Sequence, residues 1–258
     1  MRTFLKVLAA LGSLVVVAIV AVFFMTSGMT DTADGFFLSA TSAEYEQAYS
    51  FLAEDFKNTT SKEELKSYME EHSLSKFKEA SWHSRSVNGG RGELAGSITT
   101  VDGGVVPVSL GFVKGEEGWK IYSISKPSAG LQEESPAAQM PSEREQIKLV
   151  RDSMHVFAVS VREGNMSKMH DHVSSLWQDQ FSVGQFDDAF GSFYQFGDAL
   201  LVLDEHTPQF SDAATVNDEG ILILKGFYPT QPNKLHFEHK YIYEGLGWKL
   251  MGLNVNIN

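Results

Sequence analysis

The sequence contains no cysteine, so disulfide bonds and thiol-linked lipid anchors are excluded. It also lacks the Gly-x-Ser-x-Gly motif of serine hydrolases and the Gly-x-Gly-x-x-Gly and Gly-Lys-Ser/Thr loops that bind phosphates. Three nearby glycines, Gly89, Gly90 and Gly92, interrupt two apolar stretches and open no helix, which indicates a hairpin turn. Stability must therefore come from ordinary hydrophobic cores, and no motif demands a particular chemistry.

Positive charge is scarce in this chain. It has 21 Lys and Arg residues against 33 Asp and Glu residues, and its formal net charge is −12. Removing Arg2 and Lys6, which precede the first apolar run, leaves 19 minus 33, or −14, for the rest. Because a nucleic-acid partner requires a basic surface, the sequence predicts none. The acids are scattered, which is typical of a solvated surface and disfavours tight contact with anionic lipid headgroups.

A long apolar run lies at the amino terminus, where Val7 to Met25 holds 19 residues without a charge. At about 1.5 Å per residue, a helix of this length spans most of the roughly 30 Å hydrocarbon core of a bilayer. The basic flank predicts a cytoplasmic tail at 1–6, a transmembrane helix at 7–25 and export of the rest. A cleaved signal peptide is the alternative, since Thr26 and Gly28 supply small residues, but secretory apolar regions usually run about 7 to 15 residues.

An internal repeat divides the exported part into two modules. The segment Gly118–Ile121 reads Gly-Trp-Lys-Ile, and Gly247–Leu250 reads Gly-Trp-Lys-Leu 129 residues later. Upstream of each copy, three sets of residues have the i, i+3, i+4, i+7 spacing of one helix face, at offsets of 121, 124 and 121. The sets are Ala33, Phe36, Phe37 and Ala40 with Met154, Phe157, Ala158 and Val161; Tyr45, Ala48, Tyr49 and Leu52 with Met169, His172, Val173 and Leu176; and Leu65, Tyr68, Met69 and His72 with Phe186, Ala189, Phe190 and Phe193. We therefore expect three helices in each module.

Capping signals accompany these helices. The Ser/Thr-x-x-Glu/Gln pattern of a capping box begins at Thr41, Ser61 and Ser182. Between the second and third helices, Phe56 and Phe181 lie 125 residues apart. Both are predicted to fill the core from the connecting turn.

Strands separated by glycine-rich turns follow the helices in both copies, and their alternation of apolar and polar residues predicts an antiparallel meander with one apolar face. The predicted strands are Ala80–Val87, Gly92–Val101, Val105–Val113 and Trp119–Ser125, then Leu200–Phe210, Gly220–Tyr228, Leu235–Tyr243 and Trp248–Asn256. The segment from 127 to 142 holds three prolines and no apolar periodicity, which is typical of a linker. The expected fold class is therefore α+β, with a first module at 32–127, a linker at 128–143 and a second module at 144–258.

This predicted order resembles the nuclear transport factor 2-like, or cystatin-like, superfamily of cone-shaped folds. In each module, three helices are followed by a curved four-stranded antiparallel sheet that closes on a Trp-Lys strand. The resemblance rests on Ala33–Phe37, Tyr45–Phe56 and Gly118–Ile121, which read like small exported bacterial members. The superfamily includes isomerase-like and cyclase-like enzymes, ligand-binding proteins and periplasmic domains of single-pass secretion subunits. The resemblance therefore implies two cone-like modules and leaves the activity open.

Two kinds of site are conceivable in the second module. An isomerase-like site needs a carboxylate or histidine base, and Asp204 and His206 lie two residues apart on a predicted strand, hence on one face. A pocket for a small apolar ligand would instead use the aromatic residues of this module. Its candidate lining is Trp177 on the second helix with Phe237, His239 and Tyr241 on one strand face, and the competing interpretation makes all four ordinary core residues.

Histidine pairs offer no metal site. His170 and His172 are two apart on a predicted helix and point about 200° apart. His236 and His239 fall on opposite faces of a strand. We expect neither a metal nor another cofactor.

We therefore expect a non-catalytic protein of the bacterial inner membrane, with its C-terminal part in the periplasm or outside, that presents two cone-like modules to an envelope protein partner. The first alternative is binding of a small apolar ligand in the second module. The second is an isomerase-like or cyclase-like enzyme that uses Asp204 and His206. A filled cone with exposed apolar side chains favours a protein partner, whereas a large apolar cavity favours a ligand.

Overall fold

The computed structural model describes residues 28–126, 140–217 and 219–257. The chain divides into two compact units, Met1–Pro136 and Ala137–Asn258, and each contains one antiparallel sheet with helices, as the α+β prediction requires. The predicted transmembrane helix at 7–25 and most of the predicted linker at 128–143 lie outside the described residues. Across the described ranges, no helix combines the length and apolar character needed to cross a membrane.

The first unit begins with helices that bury the predicted apolar faces. The set Ala33, Phe36, Phe37 and Ala40 is at most 2% exposed. The helices are α1 at residues 28–41, α2 at Tyr45–Ser50, α3 at Glu54–Thr59 and α4 at Lys62–Glu71, followed by a 3₁₀ turn at Leu74–Lys76.

This unit has four helices where three were predicted. The helical conformation is interrupted after α2, because the chain there forms hydrogen bonds with the sheet. Leu52 forms an isolated parallel bridge with Ile121, and the Ala53 N–H donates to the Ile121 carbonyl at 2.8 Å. The capping box at Ser61 is present. The one predicted at Thr41 is wrong, since Thr41 is the last residue of α1 and no side chain caps α2.

The sheet of the first unit is the predicted meander. Its strands run antiparallel in the order β1-β2-β3-β4, with β1 at Phe77–Asn88, β2 at Arg91–Thr100, β3 at Val105–Gly115 and β4 at Gly118–Ser125. Helices and sheet enclose apolar side chains that are at most 1% exposed, among them Phe36, Phe37, Phe56, Leu65, Met69, Leu94, Ile98, Val108, Leu110, Phe112 and Ile121. Apolar side chains therefore form the core of this unit.

The second unit begins with a long helix and three short ones. They are α5 at Glu143–Glu163, α6 at Ser167–His172, α7 at Ser175–Gln180 and α8 at Val183–Phe190. The strands that follow are β5 at Gln209–Phe210, β6 at Thr215–Val216, β7 at Ile221–Tyr228, β8 at Leu235–Glu244 and β9 at Gly247–Ile257. Sheet order is β5-β7-β8-β9, and β6 also pairs with β7. The last three predicted strands are confirmed.

The predicted strand at Leu200–Phe210 is wrong over most of its length. Residues Gly191–Glu205 form a 3₁₀ segment, interrupted at Gly197 where φ is 48°. Leu200 and Leu203, three residues apart, both turn into the core at 5% and 3% exposure. A spacing of three matches the 3₁₀ repeat, so burial of these two leucines outweighs the β-propensity of the segment.

Contacts with the last strand correct the helix alignment of the repeat. Val173 bridges Leu250 as Leu52 bridges Ile121, which gives an offset of 173 − 52 = 121 rather than 124 for this pair of helices. The expectation that Phe181 fills the core is also wrong, because its side chain is 41% exposed. At an offset of 121 the counterpart of Phe56 is Trp177, which packs on Phe186 with ring centroids 4.9 Å apart.

Helix α5 begins with a capping box that was not among the predicted ones. The Ser142 hydroxyl accepts from the Glu145 N–H at 3.4 Å, and the Glu145 carboxylate accepts from the Ser142 N–H at 2.8 Å. A Ser142→Ala variant should lose about 1 kcal/mol of free energy of unfolding, measured by urea denaturation. Exposed Ser192→Ala is the control, with an expected change below about 0.5 kcal/mol. Equal midpoints for the two variants would contradict the cap.

Candidate functional site

The inward face of α5 contains a polar residue at its centre. Val150, Met154 and Phe157 are fully buried there, and Ser153 is only 1% exposed among them. A buried hydroxyl needs a hydrogen-bond partner, since leaving it unpaired costs about 1–3 kcal/mol. The partner comes from the sheet.

Strand β8 supplies that partner through its inward residues. Alternate side chains point into the core, so Leu235, Phe237, His239 and Tyr241 are between 0% and 4% exposed. The predicted shared face of Phe237, His239 and Tyr241 is therefore confirmed. His239 and Tyr241 add two polar groups to an otherwise apolar layer.

These groups form a hydrogen-bonded chain that ends near the surface. His239 Nδ1 lies 2.9 Å from the Tyr241 hydroxyl, which lies 3.2 Å from the Ser153 hydroxyl. Ser153 Oγ in turn lies 3.4 Å from His172 Nε2 at the end of α6. We call His172, Ser153, Tyr241 and His239 the polar chain. It joins the consecutive helices α5 and α6 to strand β8, where Tyr241 is 88 residues from Ser153.

Burial keeps the members of the polar chain neutral. Desolvation lowers the pKa of His239 to about 3, with a smaller contribution from His172. Desolvation also lowers the pKa of His172 and raises that of the Tyr241 hydroxyl. His239 Nε2 is buried and makes no hydrogen bond to any of the described residues. Leaving this buried nitrogen without a hydrogen bond lowers the free energy of unfolding by about 1–3 kcal/mol.

The first unit shows that the fold does not require this chain. In its sheet Leu94 pairs with Leu110, whereas in the second sheet Leu224 pairs with His239. Phe112 and Tyr241 also occupy the same place in the two sheets. Each follows a register shift, and each pairs with the residue of the last strand that forms the isolated bridge, Ile121 in the first unit and Leu250 in the second. Leucine and phenylalanine thus stand where the second unit has histidine and tyrosine. The polar chain is consequently a candidate for function rather than for folding.

The predicted pocket residues make separate ring contacts in the second unit. The Phe237 ring contacts His239 with centroids 5.0 Å apart, next to the polar chain. Trp177 is partly buried and packs on Phe186. Phe237 and Tyr241 belong to the hydrophobic core, Trp177 packs against it, and His239 is fully buried beside Phe237; their role in binding a ligand stays a prediction.

The catalytic candidates Asp204 and His206 do not form a pair on a strand. Asp204 lies near the end of the 3₁₀ segment, and its carboxylate oxygens lie 2.9 and 3.1 Å from His155 Nδ1 on α5. His206 ends that segment, and its N–H donates to the Leu203 carbonyl at 3.1 Å. The partner of Asp204 is thus 49 residues away in sequence, beyond the reach of any local spacing argument.

An open groove of about 430 Å³ runs along α5 and α6. It is lined by His155, Val156, Val159, Lys168, Asp171 and His172. His172 is therefore shared between the groove and the polar chain. Among the described residues, no cluster of three or more His, Asp or Glu side chains could hold a metal ion.

Comparisons with known proteins gave two structural similarities. No family model matches the chain, and no curated protein matches it significantly. A cystatin-like protein from Ruminococcus gnavus ATCC 29149 is 12% identical with a TM-score of 0.29, covering 92% of this chain and 94% of that one. An Ntf2 like protein involved in plasmid conjugation is 10% identical with a TM-score of 0.23, covering 87% of this chain and 96% of that one. TM-scores this low support no further conclusion about this chain.

Proposed function

We propose that this chain is a non-catalytic, membrane-anchored envelope protein whose two cone-like units bind a protein partner. Support comes from the core of the first unit, which consists of buried apolar side chains such as Phe37, Leu110 and Phe112. Side chains of this kind form a hydrophobic core without a polar group to fix a ligand, so we expect binding on the outer surface. The uncharged run at 7–25 would hold both units at the membrane and so raise their effective concentration for a membrane-bound partner.

The observation that carries the proposal is a pair of exposed valines on the first unit. Val101 and Val105 flank the turn between β2 and β3 and are 68% and 66% exposed. Single exposed apolar residues are ordinary on a protein surface, but two at one tip form a small adhesive patch. We call this pair the valine tip.

Hydrogen bonds hold the valine tip in one conformation. The Thr100 N–H donates to the Gly104 carbonyl at 2.8 Å, and the Thr100 hydroxyl bonds to Asp102. Lys76 Nζ lies 2.8 Å from the Asp102 carboxylate and ties the turn to the preceding segment. A tip fixed in advance loses little conformational entropy when it docks into a partner.

Replacing both valines of the tip by glutamate should weaken partner binding by about tenfold or more, because two charges would be desolvated in the interface. The measurement is brief in-cell crosslinking of the tagged full-length chain in its native membranes, followed by mass spectrometry of captured proteins. Leu38→Glu is the control, since Leu38 is also exposed, at 57%, but lies on α1 of the same unit and outside the valine tip. If the wild-type chain and both variants capture the same stoichiometric protein equally well, the valine tip is not the binding surface. If no protein is captured reproducibly, the proposal is wrong.

Binding of a small apolar ligand in the second unit is the other candidate function. It is favoured by the buried His239 Nε2 atom beside the Phe237 ring, because a ligand with one polar group could satisfy that nitrogen. The enzyme alternative loses its geometric basis, since Asp204 pairs with His155 and not with His206. We do not propose it.

A further inference from the structure

Positive charge in the second unit is concentrated in its last three strands. Residues 221–257 hold four lysines and two glutamates, and one of these acids, Glu244, is fully buried. Residues 140–219 hold five Lys and Arg residues against 14 Asp and Glu residues. The sheet is therefore the basic part of an otherwise acidic unit.

Three of the four lysines lie on the outer face of the sheet, opposite the core. Alternate residues of β7 and β8 are buried, and Lys225 and Lys240 belong to the other, outer set. Their side chains are 44% and 48% exposed. Lys234 reaches the same face, since its ammonium group lies 4.2 Å from the centroid of the outward-facing Phe227 ring. We call Lys225, Lys234 and Lys240 the lysine face.

The one acid among these lysines does not neutralise them. Glu238 lies opposite Lys225 on the neighbouring strand, and its carboxylate is 3.1 Å from the Lys225 ammonium group and 3.9 Å from that of Lys240. A single carboxylate thus contacts two ammonium groups, and Lys234 adds a third positive charge beside them. Three lysines against one glutamate leave a local excess of positive charge on a chain whose formal net charge is −12. Such a surface is complementary to an acidic partner.

Apolar residues border the lysine face. Ile221 and Ile242 pair across β7 and β8, and Ile223 pairs with Lys240. All three isoleucines belong to the outer set and are partly exposed, as is Phe227 further along β7. A polyphosphate or polysaccharide chain has no apolar groups to cover them, whereas a protein segment can combine carboxylates with apolar side chains. The mixed surface therefore favours a protein.

We propose that the lysine face binds an acidic segment of a protein partner, whose carboxylates pair with Lys225, Lys234 and Lys240 while its apolar side chains cover the isoleucines. This inference rests on the proposed binding of a protein partner and names the chemistry of one contact, on a surface that does not include the valine tip. Pairs of ammonium and carboxylate groups form charge-assisted hydrogen bonds, which give the contact its selectivity. Because the lysines are exposed, added salt should weaken the binding.

The probe for this site is a fluorescent peptide with capped ends, in which four glutamates are flanked by two leucines on each side. Its binding to the full-length chain in micelles of a neutral detergent is followed by fluorescence anisotropy, at about pH 7.5, where lysines are protonated and ordinary exposed carboxylates ionised. We expect saturable binding, although a chain with a net charge of −12 would otherwise repel the peptide. A peptide with four glutamines in place of the glutamates should not bind.

Variants of opposite expected effect locate the binding on the sheet. Lys225→Gln combined with Lys240→Gln should weaken binding of the glutamate peptide by about tenfold, the combined loss of two ion pairs. Glu238→Gln should strengthen it by about threefold, because this variant removes a carboxylate that competes for the same lysines. Lys148→Gln combined with Lys168→Gln is the matched control, since it removes the same charge from exposed side chains of α5 and α6 and should change binding less than about twofold.

Several outcomes would overturn the proposal. They are absence of saturable binding, equal binding of the glutamine peptide, and equal weakening by the two double-lysine variants, with unchanged circular dichroism spectra showing that each variant is folded. Displacement of the peptide by soluble dihexanoyl phosphatidylglycerol at a lower concentration than by unlabelled peptide would assign the face to a lipid surface instead. The double glutamate variant of the valine tip should bind the peptide normally. If the peptide does not bind but that variant still loses its captured partner, the lysine face is wrong and the proposed function stands.

Discussion

A Gly226→Ala variant is expected to lose about 3 kcal/mol of free energy of unfolding, the upper end for overpacking. A Cβ atom at Gly226 would lie 2.1 Å from the Gln209 carbonyl oxygen and 2.8 Å from the Phe237 ring. The first of these is a backbone atom of the neighbouring strand, so no side-chain rotation relieves the clash. Strand β5 would have to move away from β7, which opens the sheet beside the polar chain.

The first unit contains the same close approach. A Cβ atom at Gly96 would lie 2.2 Å from the Ser81 carbonyl oxygen and 2.8 Å from the Trp82 ring. Gly96→Ala should therefore destabilise the first unit by a similar amount. Gly247→Ala is the matched control, because an added Cβ there meets no atom within 4 Å. Urea denaturation of the three variants should give lowered midpoints for Gly226→Ala and Gly96→Ala only, and a wild-type midpoint for either would contradict the described strand packing.

Much of the fold could be predicted from periodicity alone. Helix faces such as Met154, Phe157, Ala158 and Val161 are buried as their spacing requires, and the three main strands of the second unit fall where alternation places them. The 3₁₀ segment was missed because its apolar residues recur at intervals that also fit a buried strand. A pattern of Leu200, Leu201, Val202 and Leu203 does not distinguish the two, and only the tertiary contacts of the leucines decide.

The candidate site was predicted only in part, for a similar reason. Alternation along β8 places His239 and Tyr241 on one face, so both could be predicted from the sequence. Their partner Ser153 is 88 residues from Tyr241, and nothing local links the two. A signal did exist, since Ser153 interrupts the apolar face of α5 three residues after Val150. A polar residue on a buried face requires a partner, and that rule would have drawn attention to Ser153.

The polar chain should make the second unit sensitive to acid. The pKa of His239 is about 3 in the folded protein, against about 6.5 in an unfolded chain. Below pH 6.5 the His239 imidazole therefore binds a proton in the unfolded chain but not in the folded protein. The free energy of unfolding is highest above this pH and falls by up to about 1.4 kcal/mol per pH unit, or about 2.5 kcal/mol between pH 7.5 and 4.5. His172 acts in the same direction, because burial lowers its pKa as well.

Glu93 in the first unit acts with the opposite sign. Burial raises its pKa to about 8, so its favourable contribution is complete below about pH 4.5 and is lost as the pH rises toward 8. A pH profile of the wild-type chain alone would therefore mix two opposing slopes. Subtracting the profile of a variant that changes only the polar chain removes the contribution of Glu93.

The decisive variant is His239→Leu combined with Tyr241→Phe, which gives the second unit the leucine and phenylalanine that the first unit has at Leu110 and Phe112. Removing both polar groups leaves no new unpaired atom between them, so we expect a protein at least as stable at pH 7.5, even though Ser153 loses its Tyr241 partner. Between pH 7.5 and 4.5 the variant should gain about 2.5 kcal/mol relative to wild type, measured by urea denaturation at each pH. Parallel profiles would mean that His239 takes up its proton in the folded state. A large loss of stability at pH 7.5 would mean that the polar chain serves the fold, and its candidacy for function would end there.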